Sequence, residues 1–315
     1  MAPNQNLTKA RKAKNDEFYT RLVDIELEVA AYLAADPDVF RDKTVLLPCD
    51  DPSWSNFTQY FARNFETLGL SRLVSTCYEA GGTGKLFVHS VGDADIDPDA
   101  LAWVPLTGDG DFRSPEVTAL RDEADLIITN PPFSLFRELL AWVTEADKQF
   151  LLLGNLNAIT YKEVFPLIQS GELHIGATNF NTGMYFSVPD GFTYAETYKF
   201  EREIDGERVA RVPAVCWFTN IAHANRPAPL TLLTAAGNKA AKGVVYQRYD
   251  DHDAIEVPKV AAIPSDHTGV MGVPITFAGK HNPGQFEIVG LARFKLGGAT
   301  TYQRSLIRHR VPAVA

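Results

Sequence analysis

DLIITNPPFSLF, residues 125–136, decides how this 315-residue chain is read. Leu126 to Thr129 form a short apolar, β-branched run of the kind that makes a strand buried on both faces. Asn130-Pro131-Pro132 ends the run, because proline gives no donor to a ladder and is confined to strand ends. Ser134 is a good N-cap for a helix over "SLFRELLAWVTEA". A buried strand, a polar turn and a helix together form the repeating unit of an α/β sheet.

The same alternation extends in both directions. Upstream, "LVDIELEVAAYLAA" (22–35) has helical spacing and stops near Asp36-Pro37. Residues 44–47 read as a strand, "NFTQYFARNFETLGL" as a helix stopped at Gly69, and "SRLVSTCYE" as a second strand. Residues 80–111 are rich in Gly, Asp and Pro, with short apolar pieces at 86–88 and 101–106. Downstream, "KQFLLLGN" reads as a strand and "YKEVFPLIQSG" as a helix that Pro166 must kink or shorten. "ELHIGATNF", "GMYFSVP" and "VPAVCWFTN" are strand-like, and "YKFEREIDGERVAR" reads as a hairpin turning at Asp205-Gly206. The pattern predicts an α/β doubly wound sheet over 1–222. From 223 to 315 the composition shifts to Gly, Pro and short apolar runs, which predicts a smaller β-rich region.

Hydrophobic residues make up 45% of the chain and charged residues 22%, enough apolar content for a large core and too much for global disorder. No run of 18 apolar residues suggests a membrane span, and the first 20 residues lack the apolar core of a signal peptide. Cys49, Cys77 and Cys216 are scattered, without metal-ligand spacing, and read as reduced thiols of a cytoplasmic protein. The formal net charge of −9 weighs against nucleic-acid binding, but the charge is unevenly spread. "KARKAK" (9–14), which includes Lys12 and Lys14, is basic. So is the stretch from 288 onward, with Arg293, Lys295, Arg304, Arg308 and Arg310 and no acidic residue. A basic arm and a basic tail on an acidic body can still offer a local positive face.

In open α/β sheets ligands bind beyond the carboxyl ends of the strands. Three segments place polar residues there. Pro48-Cys49-Asp50-Asp51-Pro52-Ser53-Trp54-Ser55-Asn56-Phe57 lacks the glycines of a dinucleotide fingerprint. Its carboxylates suit an ammonium group or ribose hydroxyls, although Asp51 and Ser53 also read as helix caps. Gly108-Asp109-Gly110-Asp111-Phe112 can offer Asp111 to an adenine amine and Phe112 to its ring, or can simply be a surface turn. Asn130-Pro131-Pro132-Phe133 is more specific. An exocyclic aromatic amine is a poor nucleophile because its lone pair is delocalised into the ring. Two acceptors around the NH₂, the Asn130 side-chain carbonyl and the Pro131 main-chain carbonyl, favour a tetrahedral nitrogen that can attack. The prolines withhold competing donors. Phe133 offers a face for stacking, worth roughly 1–3 kcal/mol per base. This step calls for no metal.

With these residues in view, the chain resembles the S-adenosylmethionine-dependent amino-methyltransferases, whose signature is Asn/Asp/Ser-Pro-Pro-Phe/Tyr/Trp. More closely it resembles the EcoRI-type adenine-specific DNA methyltransferases. The resemblance rests on "KNDEFYT" (14–20), "PCDDPSWSNF" (48–57), "GDGDF" (108–112), "TNPPFSLF" (129–136), "GNLNAITYKEVFP" (154–166), "WFTN" (217–220) and "GVMGVPITF" (269–277). It implies a Rossmann-like sheet whose last strand is antiparallel, followed by a C-terminal target-recognition region. It implies methyl transfer to N6 of adenine in double-stranded DNA, with the base flipped out of the helix. Carried over by position, Asn130, Pro131, Pro132 and Phe133 form the catalytic motif. Phe18, Tyr19 and Thr20 fold over the methionine part of S-adenosylmethionine, Asp50, Asp51 and Ser53 belong to the first cofactor loop, and Asp111 and Phe112 contact its adenine. Glu79, after the second strand, is the candidate ribose ligand. The basic residues at 9–14 and 293–310 are candidate DNA contacts, and a cognate restriction endonuclease is compatible with the family. The motif alone also admits an RNA base or a protein glutamine amide as acceptor, and the fold alone admits a non-catalytic DNA-binding relative.

Overall fold

The computed structural model of the chain describes residues 19–188, 201–204 and 206–312. It divides into two units, one of residues 1–156 with 176–224 and one of residues 157–175 with 225–315. The second unit therefore takes up a segment well before the compositional shift at 223. Helix Phe165–Ser170 accounts for this, because Gln169 donates to the carbonyl of Ile288 in that unit's sheet (3.0 Å).

The first unit is built on a mixed sheet. Its strands are β1 (Thr44–Leu47), β2 (Arg72–Cys77), β3 (Lys85–Ser90), β4 (Val104–Pro105), β5 (Leu126–Thr129), β6 (Gln149–Asn155) and β7 (Val215–Thr219). Within this unit they lie in the order β4-β3-β2-β1-β5-β6-β7. The pairs β2/β1, β1/β5 and β5/β6 are parallel, while β3, β4 and β7 each run antiparallel to their neighbours. Most residues of β1, β5 and β6, and all of β7, are buried, as their unbroken apolar runs require. β3 and β4 fall in the Gly/Asp/Pro-rich stretch, where the apolar pieces are too short to reveal a strand.

Helices Leu22–Ala35, Asn56–Arg63 and Phe136–Glu145 each bury an apolar face, while Pro115–Glu123 buries Val117 and Arg121. Ile25, Val29 and Tyr32 share one core with Phe57, Phe61, Leu126, Leu151 and Trp217. The helix expected across 56–69 breaks at Asn64, and its last turn ends at Gly69 in the left-handed region (φ 65°). Ser134 is not an N-cap. Residues Phe133–Leu135 form a 3₁₀ turn closed by the Leu135 amide on the Pro132 carbonyl (2.8 Å), and the α-helix starts one residue later without a side-chain cap. Pro166 shortens its helix as expected, standing in the first turn of Phe165–Ser170. A smaller antiparallel sheet pairs Tyr19–Thr20 with Met184–Ser187, which pairs with Glu207–Val212 and then Glu201–Ile204. The last two strands form the expected hairpin. Gly206 at its turn has φ 79°, and Asp205 lies outside the described residues.

The second unit carries a sheet in the order Ala254–Glu256, Val270–Pro274, Arg304–His309, Phe286–Ala292. "PLTLL" and "GVVY" are not strands in it. A two-residue hairpin, Lys295–Leu296 with Ala299–Thr300, turns at Gly297-Gly298, both with positive φ. Beneath it the Tyr249 and Phe294 rings stack at 4.5 Å. The Tyr249 hydroxyl donates to Glu256, which also takes a forked pair from Arg304 (Nε to Oε1 3.0 Å, Nη2 to Oε1 2.6 Å). The side chains of Arg304 and Glu256 are only 16% and 10% exposed. Arg304, a candidate DNA contact by sequence, is thus held in a largely buried ion pair. Removing one partner of a buried pair leaves the other charge uncompensated. Arg304→Ala is therefore expected to destabilise the protein by about 3–5 kcal/mol, read as a lower urea midpoint, and Glu256→Gln in the same chain to restore part of the loss. An unchanged midpoint in Arg304→Ala would show that the pair carries no such role.

Candidate active site

The parallel strands reverse their order between β1 and β5, so the turns after them diverge. This is the position at which open α/β sheets hold their ligands. A cavity of about 440 Å³ opens there, within the range of about 300–1,000 Å³ usual for small-molecule sites. Its walls are Pro48 to Asp51 after β1, Cys77 to Glu79 at the end of β2, Gly110 to Arg113, and Asn130, Pro132 and Leu135 after β5. Tyr19 and Thr20 complete it together with Trp54 to Phe57. The three segments singled out at strand ends thus meet around one space.

Asp50 is fully buried and links two of these turns. Its carboxylate accepts from the Ser55 hydroxyl (2.7 Å) and the Thr129 hydroxyl (2.6 Å). Its amide donates to the Thr76 carbonyl, and its own carbonyl accepts from Ser75. Ser55 in turn accepts from the Phe57 amide and caps helix Asn56–Arg63. Asp51 lies on the cavity wall, but Lys85 of β3 grips its carboxylate (2.7 and 3.0 Å) and also donates to Ser53 Oγ (3.0 Å). That pairing holds the Asp51 carboxyl below its ordinary range despite partial burial. Asp51 therefore meets the cavity as a carboxylate already paired with Lys85. Ser53 does not line the cavity.

Asp111 is similarly engaged. Arg113 binds it through Nε (2.9 Å) and Nη2 (2.6 Å), lowering its carboxyl, and reaches on to Glu138. Phe112 is buried edge-on against Trp142 (5.4 Å) and presents only part of its ring to the cavity. The loop reaches this wall because Gly110 lies against the end of β2. It has φ 81°, and a Cβ there would stand 2.0 Å from the Cys77 carbonyl oxygen. Glu79 lines the cavity with an exposed side chain, and its amide is anchored on the Asp109 carbonyl (2.8 Å). Tyr19 and Trp54 form an aromatic corner with centroids 4.1 Å apart.

The Asn130 amide nitrogen donates to Thr20 Oγ1 at 3.2 Å. Pro132 shares the cavity wall with Asn130, whereas Pro131 is buried and Phe133 packs half-buried against the core. Among the described residues, then, the cavity brings together Tyr19, Thr20, Asp50, Asp51, Glu79, Asp111, Phe112, Asn130 and Pro132. Phe18, Lys12 and Lys14 lie outside the described residues. Arg308 pairs loosely with Glu287 (3.5 Å), Arg310 donates to the Pro283 carbonyl (2.5 Å), and Lys295 is exposed. Sequence reasoning missed Lys85, Trp54, Arg113 and Asn56. Trp54 and Asn56 stand within the quoted stretch 48–57 and Arg113 two residues from Asp111, whereas nothing local marked Lys85.

Asp50 also has a pH signature. Burial pushes its carboxyl up to about 7, against the pull of the Thr129 and Ser55 hydroxyls. The folded chain therefore holds this proton more tightly than the unfolded chain, where an aspartate titrates near ~4. Its contribution to stability is greatest below about pH 4 and is lost as the pH rises through about 7. Asp50→Asn removes the titration and can still bond both hydroxyls. The unfolding midpoint of Asp50→Asn relative to the unsubstituted protein should climb between about pH 4 and about pH 7. A constant difference over that window would show that Asp50 is not the titrating group.

Comparison with known proteins shows the family. A family described as adenine-specific methyltransferase EcoRI matches residues 6–311. The Type II methyltransferase M.EcoRI of Escherichia coli is 40% identical over 98% of both chains. The Type II methyltransferase M.MpnI of Mycoplasma pneumoniae is 38% identical over 89% of this chain and 84% of its own. M.MgeORF184P of Mycoplasma genitalium, also a Type II methyltransferase, is 33% identical over 90% and 85%. No solved structure matches. No helix among the described residues is long and apolar enough to cross a membrane. With a family match over residues 6–311 and a relative 40% identical over 98% of its length, the chain belongs to the EcoRI family of adenine-specific methyltransferases.

Proposed function

We propose that this chain transfers the methyl group of S-adenosylmethionine to the N6 amine of adenine in double-stranded DNA. The observation that carries the reading is Asn130, which stands at the end of β5 on the wall of the cavity with its amide nitrogen turned toward Thr20. Under this reading the mixed sheet is a Rossmann-like methyltransferase sheet, and the region from 223 onward recognises the target sequence.

The cavity's residues fit the cofactor. Glu79 offers an exposed carboxylate to the ribose hydroxyls, Tyr19 and Trp54 offer an apolar corner, and part of the Phe112 ring faces the space. When bound, S-adenosylmethionine supplies a methyl group made electrophilic by its sulfonium. The chain's own part is to prepare the acceptor. With the Asn130 amide nitrogen directed at Thr20, its carbonyl oxygen points the other way and can accept from the incoming amine. Drawing on the amine's hydrogens favours a tetrahedral nitrogen whose lone pair is released from the ring. The surplus proton leaves to water after transfer, so no carboxylate or imidazole is required at the reacting nitrogen. Because a paired adenine hides this amine, the base must be flipped out, at a cost of a few kcal/mol. The designation of the relatives as Type II methyltransferases sets this activity in restriction–modification, where a nuclease of matching specificity is the natural counterpart.

The test is transfer of labelled methyl from S-adenosylmethionine to duplexes with and without adenine, with product bases identified by mass. Label should appear only as N6-methyladenine. Asn130→Ala should lower the transfer rate by about 100-fold or more, the scale of losing a preorganised polar group, while leaving the cofactor Kd within about threefold. Near-normal turnover in Asn130→Ala would sink the mechanism, and RNA that outcompetes DNA for the label would change the substrate.

A further inference from the structure

We propose that Thr20 is a positioning residue for the reaction, through the acceptor it gives to the Asn130 amide. The inference rests on the methyl-transfer reading above. A carboxamide has nearly the same shape either way round, so only its hydrogen-bond partners choose its orientation. The productive orientation turns the carbonyl oxygen to the substrate amine and so points an N–H at position 20. Thr20 Oγ1 accepts that N–H at 3.2 Å. Reversed, the amide would set its own N–H groups against an amine that is itself a donor.

Thr20 can serve this way because it is fixed. It is 4% exposed, paired in register with Phe186, and its carbonyl accepts from the Asn56 side chain at 2.8 Å. Asn56 follows Ser55, Ser55 donates to Asp50, and Asp50 accepts from Thr129, the residue before Asn130. Hydrogen bonds and chain bonds thus close a ring: Asn130, Thr20, Asn56, Ser55, Asp50, Thr129 and back to Asn130. The ring joins the ends of β1 and β5 to a strand 110 residues away in sequence from Asn130. Thr20 lies on the cavity wall by virtue of its chain segment, and the hydroxyl has this separate task.

The test uses the full chain. Thr20→Val keeps the shape and removes the acceptor, and Thr20→Ser keeps the hydroxyl. In Thr20→Val, kcat should fall by about 10- to 100-fold, as for a buried donor that loses its acceptor, with the cofactor KM changed by less than about threefold. Thr20→Ser should recover most of the rate. A kcat for Thr20→Val within about twofold of the unsubstituted enzyme, a loss carried wholly by the cofactor KM, or a Thr20→Ser as slow as Thr20→Val would each overturn the proposal. A readout independent of activity accompanies it. With asparagine side chains labelled with nitrogen-15, the Asn130 NH₂ signals, identified by their loss in Asn130→Asp, should move in Thr20→Val and stay in place in Thr20→Ser. Signals unmoved in Thr20→Val overturn the proposal. If the unsubstituted enzyme methylates no DNA, the functional reading fails, and the amide signals still decide the role of Thr20.

Discussion

The buried carboxylate of Asp50 is the constraint from which the rest of the site follows. A parallel sheet brings the ends of β1 and β5 side by side, but nothing in sheet pairing fixes the turns that leave them. Asp50 supplies that link by accepting one hydroxyl from the helix cap Ser55 and one from Thr129. The cap sets the first turn of helix Asn56–Arg63, and with it the Asn56 side chain that holds the Thr20 carbonyl. Thr129 sets the last residue before Asn130. A carboxylate so enclosed is costly to ionise, and its raised titration is the physical sign of that cost. The site accepts the penalty because two hydroxyls can be gathered by one short acidic side chain and by few others.

Electrostatics around the cavity follow from pairing rather than from residue counts. Four acidic residues line the space, which in a sequence looks like a strongly negative site. Lys85 neutralises Asp51, Arg113 neutralises Asp111, and burial discourages the charge on Asp50. Glu79 is left as the exposed carboxylate on the wall. Lys85 is itself backed by the Trp103 face at 5.0 Å, so its charge is aimed rather than solvated. The outcome is a cavity whose exposed carboxylate is Glu79, with its other acidic groups paired or buried.

What the sequence revealed and what it hid have the same physical origin. Strands buried on both faces advertise themselves as unbroken apolar runs, so Thr44–Leu47, Leu126–Thr129 and Gln149–Asn155 were legible, as were the polar turns after the first two. The antiparallel strands Lys85–Ser90 and Val104–Pro105 were not, because their apolar runs are short and they lie in a stretch rich in Gly, Asp and Pro. Ser134 has the right side chain for a cap, but two prolines before it favour a 3₁₀ turn, and the local preference lost to the chain's entry angle. Partners distant in sequence leave no local trace. Lys85 meets Asp51 across 34 residues and Thr20 meets Asn130 across 110, and neither pairing can be read from spacing.

The same distinction bears on how an acidic protein with a net charge of −9 can hold DNA, as the proposed function requires. A cation helps only if its charge can be transferred to a phosphate. Arg304 cannot do this, because leaving Glu256 would strand a buried carboxylate. Arg308 can, since its pair with Glu287 is about half exposed on both sides, and such pairs are worth little in water. Arg310 spends one bond on a carbonyl that water can replace, and Lys295 stands in solvent beside the Gly297-Gly298 turn. The basic C-terminal stretch therefore splits by burial into a structural cation and exchangeable ones. Phosphate contact through such exchangeable cations carries no sequence information. Discrimination must then come from groups that meet base edges, where a single well-formed contact is worth about 1–3 kcal/mol whatever the net charge.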